Sequence, residues 1–183
     1  MTRSNAGLAL CAIDFLVCVA LWMLLTQGDT HRPSIPTAGV AAVTTTWAAG
    51  SDDDVDVWLR DPAGRLCWFG ARDSGLMHLE HDDLGASTSE RNVAGPNHER
   101  IVLRGILAGE YVVNVHLYLQ SDPGPIAVTV QLWSLAGSDR LLLSRIVTLR
   151  GQGDEQTAFR FSLSGDGRLL SRSELPATLV GEG

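Results

Sequence analysis

The chain carries oxygen-bearing side chains in two clusters, each at one end of a short apolar segment. Six of these side chains could act as ligands of a metal ion: Asp54, Asp56, Asp82, Asp83, Asn97 and Glu99. Calcium takes about six to eight oxygen ligands from flexible loops, and the loops at neighbouring strand ends can supply them together. The pattern therefore indicates a calcium site, provided that the fold brings the two clusters to one place.

Alternation along the first segment separates its acidic residues from its apolar ones. On an extended strand Asp54 and Asp56 share one face, while Val55 and Val57 share the other face, toward the core. Two like charges this close repel each other, so the carboxylates need either a cation between them or full solvation. The spacing of an EF-hand loop is absent. The residues alone leave both a calcium site and solvated loops open.

The elements that must position these side chains are strands. Short segments rich in Val, Ile, Leu, Thr and aromatic residues follow one another between turn signals, which predicts an all-β fold, an antiparallel β-sandwich of about eight to nine strands, over residues 40–170. Turn signals at residues 61–64, 122–125, 136–139 and 164–167 predict a meander of hairpins. The predicted strands are residues 41–47, 54–60, 65–69, 77–81, 100–103, 110–119, 126–134, 141–150 and 156–163.

Two residues on these strands are candidates for a ligand-binding surface. His116 falls on the face of strand 110–119 opposite to Tyr111, Val113 and Val115, so it is predicted to be a surface or interface residue. Trp58 shares a face with Asp54 and Asp56, which favours partial exposure and a role in glycan binding. Core packing remains the alternative for Trp58, because it is the commoner fate of a tryptophan in a strand.

Composition and motifs argue against two classes of function. Charged residues make up 19% of the chain and its net charge is -7, so nucleic acid is excluded as a partner and divalent cations are favoured. We predict no enzymatic activity, since the chain has neither a Gly-x-Ser-x-Gly motif nor a phosphate-binding glycine loop. His78 and His81 are three residues apart, which on a regular strand places them on opposite faces, away from a shared zinc ion. Cys67 is predicted to be a buried strand residue.

An apolar run near the start of the sequence predicts a membrane span. Between residues 7 and 25 the only ionisable side chain is Asp14, and residues 8–25 as a helix would extend about 27 Å, close to the roughly 30 Å of a bilayer's hydrocarbon. A cleaved signal peptide is the alternative, but it predicts a shorter apolar core and a small-x-small cleavage site. We therefore predict a transmembrane helix over residues 7–26, a linker over 27–39 and a flexible tail over 171–183.

Asp14 suggests more than a passive anchor. Gly7, Cys11, Asp14 and Cys18 fall on one helical face, where small residues permit the close approach of a second helix. A carboxylate at that depth costs about 2.5 to 3.5 kcal/mol on insertion scales, so it is expected to face a protein partner or a wet path. The alternative is a tolerated aspartate that is protonated or reaches toward the interface. On the first interpretation the partner is a multi-span membrane protein.

The single span with one acidic residue resembles the ExbD/TolR and MotB type subunits of ion-driven membrane motors. The residues that carry the resemblance are Asn5, Asp14 and the apolar run. It implies that Asp14 carries a proton or cation between the span and a ring of channel subunits. Together with the positive-inside rule applied to Arg3, it places residues 1–6 in the cytoplasm and the sandwich in the periplasm of a bacterium, facing a periplasmic or envelope partner.

A second resemblance covers residues 39–167, which look similar to the β-sandwich domain of YfaP-type bacterial proteins. It rests on a series of matching positions: Trp47, Asp54-Val-Asp56-Val, Asp61-Pro62 with Gly64, Gly75, Leu79, Asp82-Asp83, Gly85, Asn97-x-Glu99, Gly109-x-Tyr111, Val113, Val115 and Tyr118. The resemblance implies a sandwich with a metal or ligand site at its acidic motif, by analogy with other calcium-dependent exported sandwiches.

Two functions follow as expectations. In the first, the chain is a single-pass inner-membrane protein with a periplasmic binding domain, a subunit of an ion-driven complex that uses Asp14. In the second, the span is a passive anchor and the sandwich is a calcium- or glycan-binding module.

Overall fold

The computed structural model describes residues 39–83 and 97–181, and these form strands and turns. Within those ranges no helix is long and apolar enough to cross a membrane. The predicted span, with Gly7, Cys11, Asp14 and Cys18, lies outside them and stays a prediction. The strands are β1 (Ala41–Trp47), β2 (Asp54–Arg60), β3 (Leu66–Cys67), β4 (Asp73–Ser74), β5 (Met77–His81), β6 (Asn97–Leu103), β7 (Gly109–Leu119), β8 (Ile126–Ser134), β9 (Arg140–Leu149), β10 (Glu155–Leu163) and β11 (Leu169–Ser173).

The strands form two antiparallel sheets with a shared core. One sheet has the order β4-β5-β6-β1-β8-β9, and the other has the order β11-β10-β7-β2-β3. Their inner faces bury Val43, Val57, Val113, Val130 and Phe161 almost completely, which follows from the alternation of apolar residues along each strand. The prediction of an all-β antiparallel fold is confirmed, and its arrangement is sandwich-like. The described residues form eleven strands rather than eight to nine, because β4 and β11 were not predicted.

The connections between strands differ from the predicted meander. The segment at residues 122–125 was expected to close a hairpin, but β7 and β8 belong to different sheets. The chain also changes sheet between β1 and β2, between β3 and β4, between β6 and β7, and between β9 and β10. The hairpins predicted at residues 61–64, 136–139 and 164–167 do join neighbouring strands of one sheet. A turn signal thus predicts where the chain reverses but not which sheet it enters.

The carboxyl-terminal segment is packed, which corrects the predicted frayed tail. β11 extends to Ser173 and pairs with β10, and beyond it Leu179 is fully buried on the outer face of the five-stranded sheet beside Val112 and Trp58. The backbone N–H of Leu179 donates to Glu155 Oε1 at 2.7 Å. Apolar residues on the outer face of the sheet are the physical reason, since they need a cover.

Candidate functional site

One edge of β2 is left open by the short strand beside it. β3 pairs only with Leu59 and Arg60, so along the first half of β2 the structure describes a strand partner, β7, on one side alone. There the backbone N–H of Val57 donates to Glu99 Oε2 at 2.5 Å. Glu99 belongs to β6 in the other sheet. Its side chain therefore links the two sheets at this edge.

A β-bulge at the end of β5 determines which way the following acidic residues face. The register with β6 shifts by one residue between Leu79 and His81, so that His81 lies opposite Arg100. Continued for one more residue, the shifted register brings Asp82 level with Glu99, on the inner side of the sheet. Bulges commonly re-aim a side chain in this way. The bulge thus explains how an acid that follows β5 meets an acid from the middle of β6.

Three carboxylates converge at the open edge of β2. Asp56, Asp82 and Glu99 each place a carboxylate oxygen within 4.8 Å of the other two. Asp56 is 3% exposed and Glu99 is 1% exposed. An ion that binds oxygen at about 2.3 to 2.6 Å holds ligands at such separations. Asp54 is 7% exposed. As predicted, it shares one face of β2 with Asp56, so it is a fourth carboxylate beside these three.

We call Asp54, Asp56, Asp82 and Glu99 the acidic cluster. Some of the carboxylate oxygens of the cluster have no hydrogen-bond donor within the described part of the chain. Among the residues that the structure describes, four oxygens have no hydrogen-bond partner: Asp54 Oδ1, Asp56 Oδ2, Asp82 Oδ1 and Glu99 Oε1. Two basic side chains border the cluster. Arg72 contacts Asp82 Oδ2 at 3.1 Å, and His116 Nδ1 lies 3.5 Å from Asp56 Oδ2. A buried carboxylate oxygen without a donor is costly, so a proton or a cation is required there.

The acid–base properties of the cluster follow from burial and mutual repulsion. Burial, and then the charges of Asp56 and Asp82, raise the pKa of Asp54 to about 7. Burial also raises the pKa of Asp56, against the opposing effect of His116. The pKa of Glu99 is raised well above its usual range by burial and by the neighbouring carboxyl of Asp82. Without a bound cation, carboxyl groups of the cluster therefore stay protonated at pH values at which ordinary carboxyl groups are ionised.

The other two predicted ligands, Asn97 and Asp83, lie at the margin of the cluster. The side-chain amide of Asn97 donates to the carbonyl oxygens of Ala48 and Ser51, at 3.2 and 2.7 Å, and so fixes the turn between β1 and β2. Asp83 faces the opposite way and accepts a hydrogen bond from the backbone N–H of His98 at 3.2 Å. Asn97 also lies inside β6 rather than in the predicted loop before it.

The predicted ligand surface of Trp58 and His116 is not exposed. Trp58 is 3% exposed, packs beside Leu179 and stacks on Trp68 with ring centroids 4.3 Å apart. The side chain of His116 is 12% exposed. Both were placed correctly on the outer face of their sheet. Trp58 is buried because the carboxyl-terminal segment and the ring of Trp68 cover it.

The bulge in β5 also corrects the prediction for His78 and His81. A regular strand would place them on opposite faces, but the register pairs His78 with Val102 and His81 with Arg100, two residues of one face of β6. His78 Nδ1 instead contacts Asp73 Oδ1 at 2.9 Å. Cys67 is fully buried in β3, as predicted, and burial raises the pKa of its thiol to about 12.

Sequence reasoning missed two residues of functional interest. Asp53 is 1% exposed and joins two loops, since its Oδ1 accepts hydrogen bonds from the backbone N–H groups of Ser121 and Asp122. The ring of His98 stacks on that of His81, with centroids 4.1 Å apart. The histidine was detectable, because it alternates with Asn97 and Glu99 and therefore faces away from them. Asp53 stands in a run of acidic residues, and no feature of the sequence distinguishes it from its neighbours.

Comparison with known proteins leaves the fold and the acidic cluster as the basis for a functional proposal. No protein-family model matches the chain, and neither a curated protein nor a solved structure is detectably similar to it. The resemblances to YfaP-type domains and to ExbD/TolR and MotB subunits stay predictions.

Proposed function

We propose that the sandwich is a calcium-binding module whose site is the acidic cluster. The observation that carries the proposal is the set of buried carboxylate oxygens without donors, contributed by Asp56, Asp82 and Glu99. These residues come from three separate segments of the chain, so the fold itself assembles the group. Like charges held this close in a buried place need a counter-charge.

The chemistry of the ligands favours calcium among the common cations. All the convergent atoms are carboxylate oxygens, which are hard ligands that suit calcium and magnesium better than zinc or copper. Magnesium requires a nearly ideal octahedron with several waters, whereas calcium accepts irregular sets of ligands. The ligands are Asp56 from the edge of β2, Asp82 from the segment after the bulge and Glu99 from the opposite sheet. Their arrangement is therefore irregular.

The position of the cluster suggests what calcium would do for the domain. Asp56 belongs to the five-stranded sheet, and Glu99 belongs to the six-stranded sheet. A bound ion would join the two sheets at the edge that β3 leaves open. It would also fix Asp82, which follows β5, against the edge of β2. Calcium binding would thereby stabilise a surface for a partner of the domain.

Isothermal titration of the full-length chain in mild detergent with calcium tests the proposal. We expect one site in the wild type, with weaker binding of magnesium. Glu99→Gln should lose the site, because the amide removes one charge and one anionic ligand. Asp139→Asn, which removes an exposed acidic residue far from the cluster in the sequence, is the matched control and should bind like the wild type. Equal calcium binding by all three chains would contradict the proposal.

The glycan-binding alternative has less support after the burial of Trp58. The exposed aromatic side chains near the cluster are Tyr118, 53% exposed, and Phe69, 37% exposed, whose rings contact edge to face. Edge-to-face packing leaves less flat ring surface for a sugar than a free tryptophan would. We therefore keep glycan binding as the second candidate for this surface.

The membrane role predicted for Asp14 is a separate proposal. Its support is the position of a single carboxylate inside an apolar run of span length. A pull-down in mild detergent of the wild type beside Asp14→Leu, with mass spectrometry, tests it. A multi-span membrane protein lost on substitution supports an ion-coupled complex. Equal recovery from both chains supports a passive anchor.

A further inference from the structure

The bulge in β5 that turns Asp82 toward the acidic cluster turns its two neighbours the other way. His81 lies opposite Arg100, and Asp83 lies beside His98, on the outer side of the six-stranded sheet. In a regular strand His81 would instead face inward, level with Glu99. A single bulge thus divides residues 81 to 83 between two sites on opposite sides of the strand.

These outward side chains form a compact group of metal-binding atoms. His81, Asp83 and His98 each offer a ligand atom, and the three atoms all lie within 4.8 Å of one another. The imidazole rings are nearly parallel, with an interplanar angle of 10°. His81 and His98 are exposed, and binding requires their rings to turn until the nitrogens reach the roughly 3.3 Å separation that a tetrahedral ion with bonds of about 2.0 Å needs.

We propose that His81, Asp83 and His98 form a second metal site, for a transition ion of the zinc class. Two imidazoles and one carboxylate are the ligands that zinc and neighbouring divalent ions prefer, and calcium does not take imidazole as a main ligand. Three protein ligands leave a position open to solvent, as in sites that bind a further ligand.

The surroundings of the group are compatible with a bound cation. Arg100, the nearest cationic residue in register, is held by Glu80 at 3.0 Å. The side chain of Arg72 is directed to Asp82 and to the carbonyl oxygen of Leu79. Neither guanidinium contact involves the three ligands. The hydrogen bond from the His98 backbone to Asp83 Oδ2 keeps the carboxylate beside the second imidazole.

Titration of the full-length chain with zinc, in calcium at a saturating concentration, tests the proposal. Saturating calcium occupies the acidic cluster, whose ligands are all carboxylates. Zinc binding to the histidine group is therefore measured separately. We expect one zinc ion to bind, and His81→Gln and His98→Gln each to weaken binding by about tenfold or more, equivalent to about 1.4 kcal/mol. His78→Gln, on the same strand but bound to Asp73, is the control and should leave the affinity unchanged.

A second measurement keeps the test valid if a variant fails to fold. In the wild type, the imidazole nitrogen resonances of His81 and His98 should shift together at one equivalent of zinc, while those of His78 stay in place. Zinc affinity that is unchanged in both glutamine variants, or lost in Glu99→Gln instead, would overturn the proposal. If calcium does not bind, the Glu99→Gln variant still distinguishes zinc at His81 and His98 from zinc at the acidic cluster, because the two sites share no side chain.

Discussion

The structure holds two sets of buried carboxylates, Asp53 and the acidic cluster, and they differ in what surrounds them. Asp53 accepts hydrogen bonds from the Ser51 hydroxyl and from two backbone N–H groups of the loop after β7. Asp56 and Glu99, which are as deeply buried, retain oxygens for which the described residues offer no donor. Low solvent exposure by itself therefore does not determine the chemistry of a carboxylate.

The acid–base properties of the two sets show the same difference. Burial alone would raise the pKa of Asp53, but the hydrogen bonds from Ser51, Asp122 and Ser121 hold it below its usual range. In the acidic cluster burial and repulsion act in the same direction, and the pKa of Asp54 rises to about 7. A buried acid with a full set of donors stabilises the loop, whereas one without donors requires a proton or a cation.

The largest expected effect comes from removing the satisfied carboxylate. Asp53→Ala leaves the N–H groups of Ser121 and Asp122 and the Ser51 hydroxyl without their acceptor, so we expect the free energy of unfolding to fall by about 3 kcal/mol. Because Asp53 is not in the cluster, the loss should be the same with and without calcium. Urea unfolding in calcium and in EGTA measures it, with Asp139→Ala as the control. A loss that disappears in calcium would mean that Asp53 is a ligand.

The acidic cluster should respond in the opposite sense. Asp56→Asn removes one of the repelling charges, so in EGTA the variant should be at least as stable as the wild type. Calcium at about 100 times its dissociation constant should stabilise the wild type by about 2.7 kcal/mol and the variant by much less. Thermal unfolding in both conditions measures this difference. If Asp56→Asn destabilised the calcium-free protein as Asp53→Ala does, the distinction between the two sets would fail.

The pH dependence of stability should differ between the calcium-free and the calcium-bound protein. Since the pKa of Asp54 rises from 3.8 to about 7 on folding, the folded protein retains a proton that the unfolded chain releases. The calcium-free protein should therefore lose stability as pH rises from 3.8 to about 7, with no loss from this group at lower pH. Asp56 and Glu99 add to the effect, and the charge of His116 opposes it.

Calcium should abolish this loss, because a bound ion displaces the protons and keeps the carboxylates charged. Urea unfolding over a pH series, in EGTA and in calcium, gives the two slopes. A flat profile in EGTA would show that the cluster is hydrated and charged in the folded state.

The sequence predicted the strands better than it predicted the site, and particular residues show why. Period-two alternation located β2 and β8 with the observed bounds, because their apolar faces meet one core. Asp56, Asp82 and Glu99 were among the six predicted ligands, and the structure brings these three carboxylates together. The alternation did not predict the bulge before His81, because no glycine or other local signal marks it. Nor did it predict the donors of Asp53, since Ser121 lies 68 residues away along the chain.

Burial of the outer sheet face was missed for a similar reason. Alternation assigned Trp58 and His116 correctly to that face, but exposure depends on what covers the face. The cover is the segment around Leu179, whose few apolar residues follow no period. A short apolar segment after the last strand is compatible with both a frayed tail and a packed one.

A third carboxylate extends the comparison, with the smallest expected effect. Glu155 Oε1 accepts hydrogen bonds from the Asn114 side chain and from the backbone N–H groups of Leu179 and Val180. Like Asp53, it has its donors, and it holds the carboxyl-terminal segment on the sheet. Glu155→Gln keeps an acceptor oxygen but loses the charge, so we expect a loss of about 1 kcal/mol in stability.

Limited proteolysis gives this prediction its specific measurement. If Glu155 anchors the segment, residues 174–181 should be trimmed faster in Glu155→Gln than in the wild type, while calcium binding stays unchanged. The matched control is Glu174→Gln, because Glu174 is exposed and contacts only Arg145 among the described ion pairs. Equal trimming of both variants would mean that the apolar contacts of Leu179 hold the segment and that the carboxylate of Glu155 contributes little. In that case Glu155 and Asp53 would resemble each other in having their hydrogen bonds satisfied, and the negative charge of Glu155 would not be needed to hold the segment.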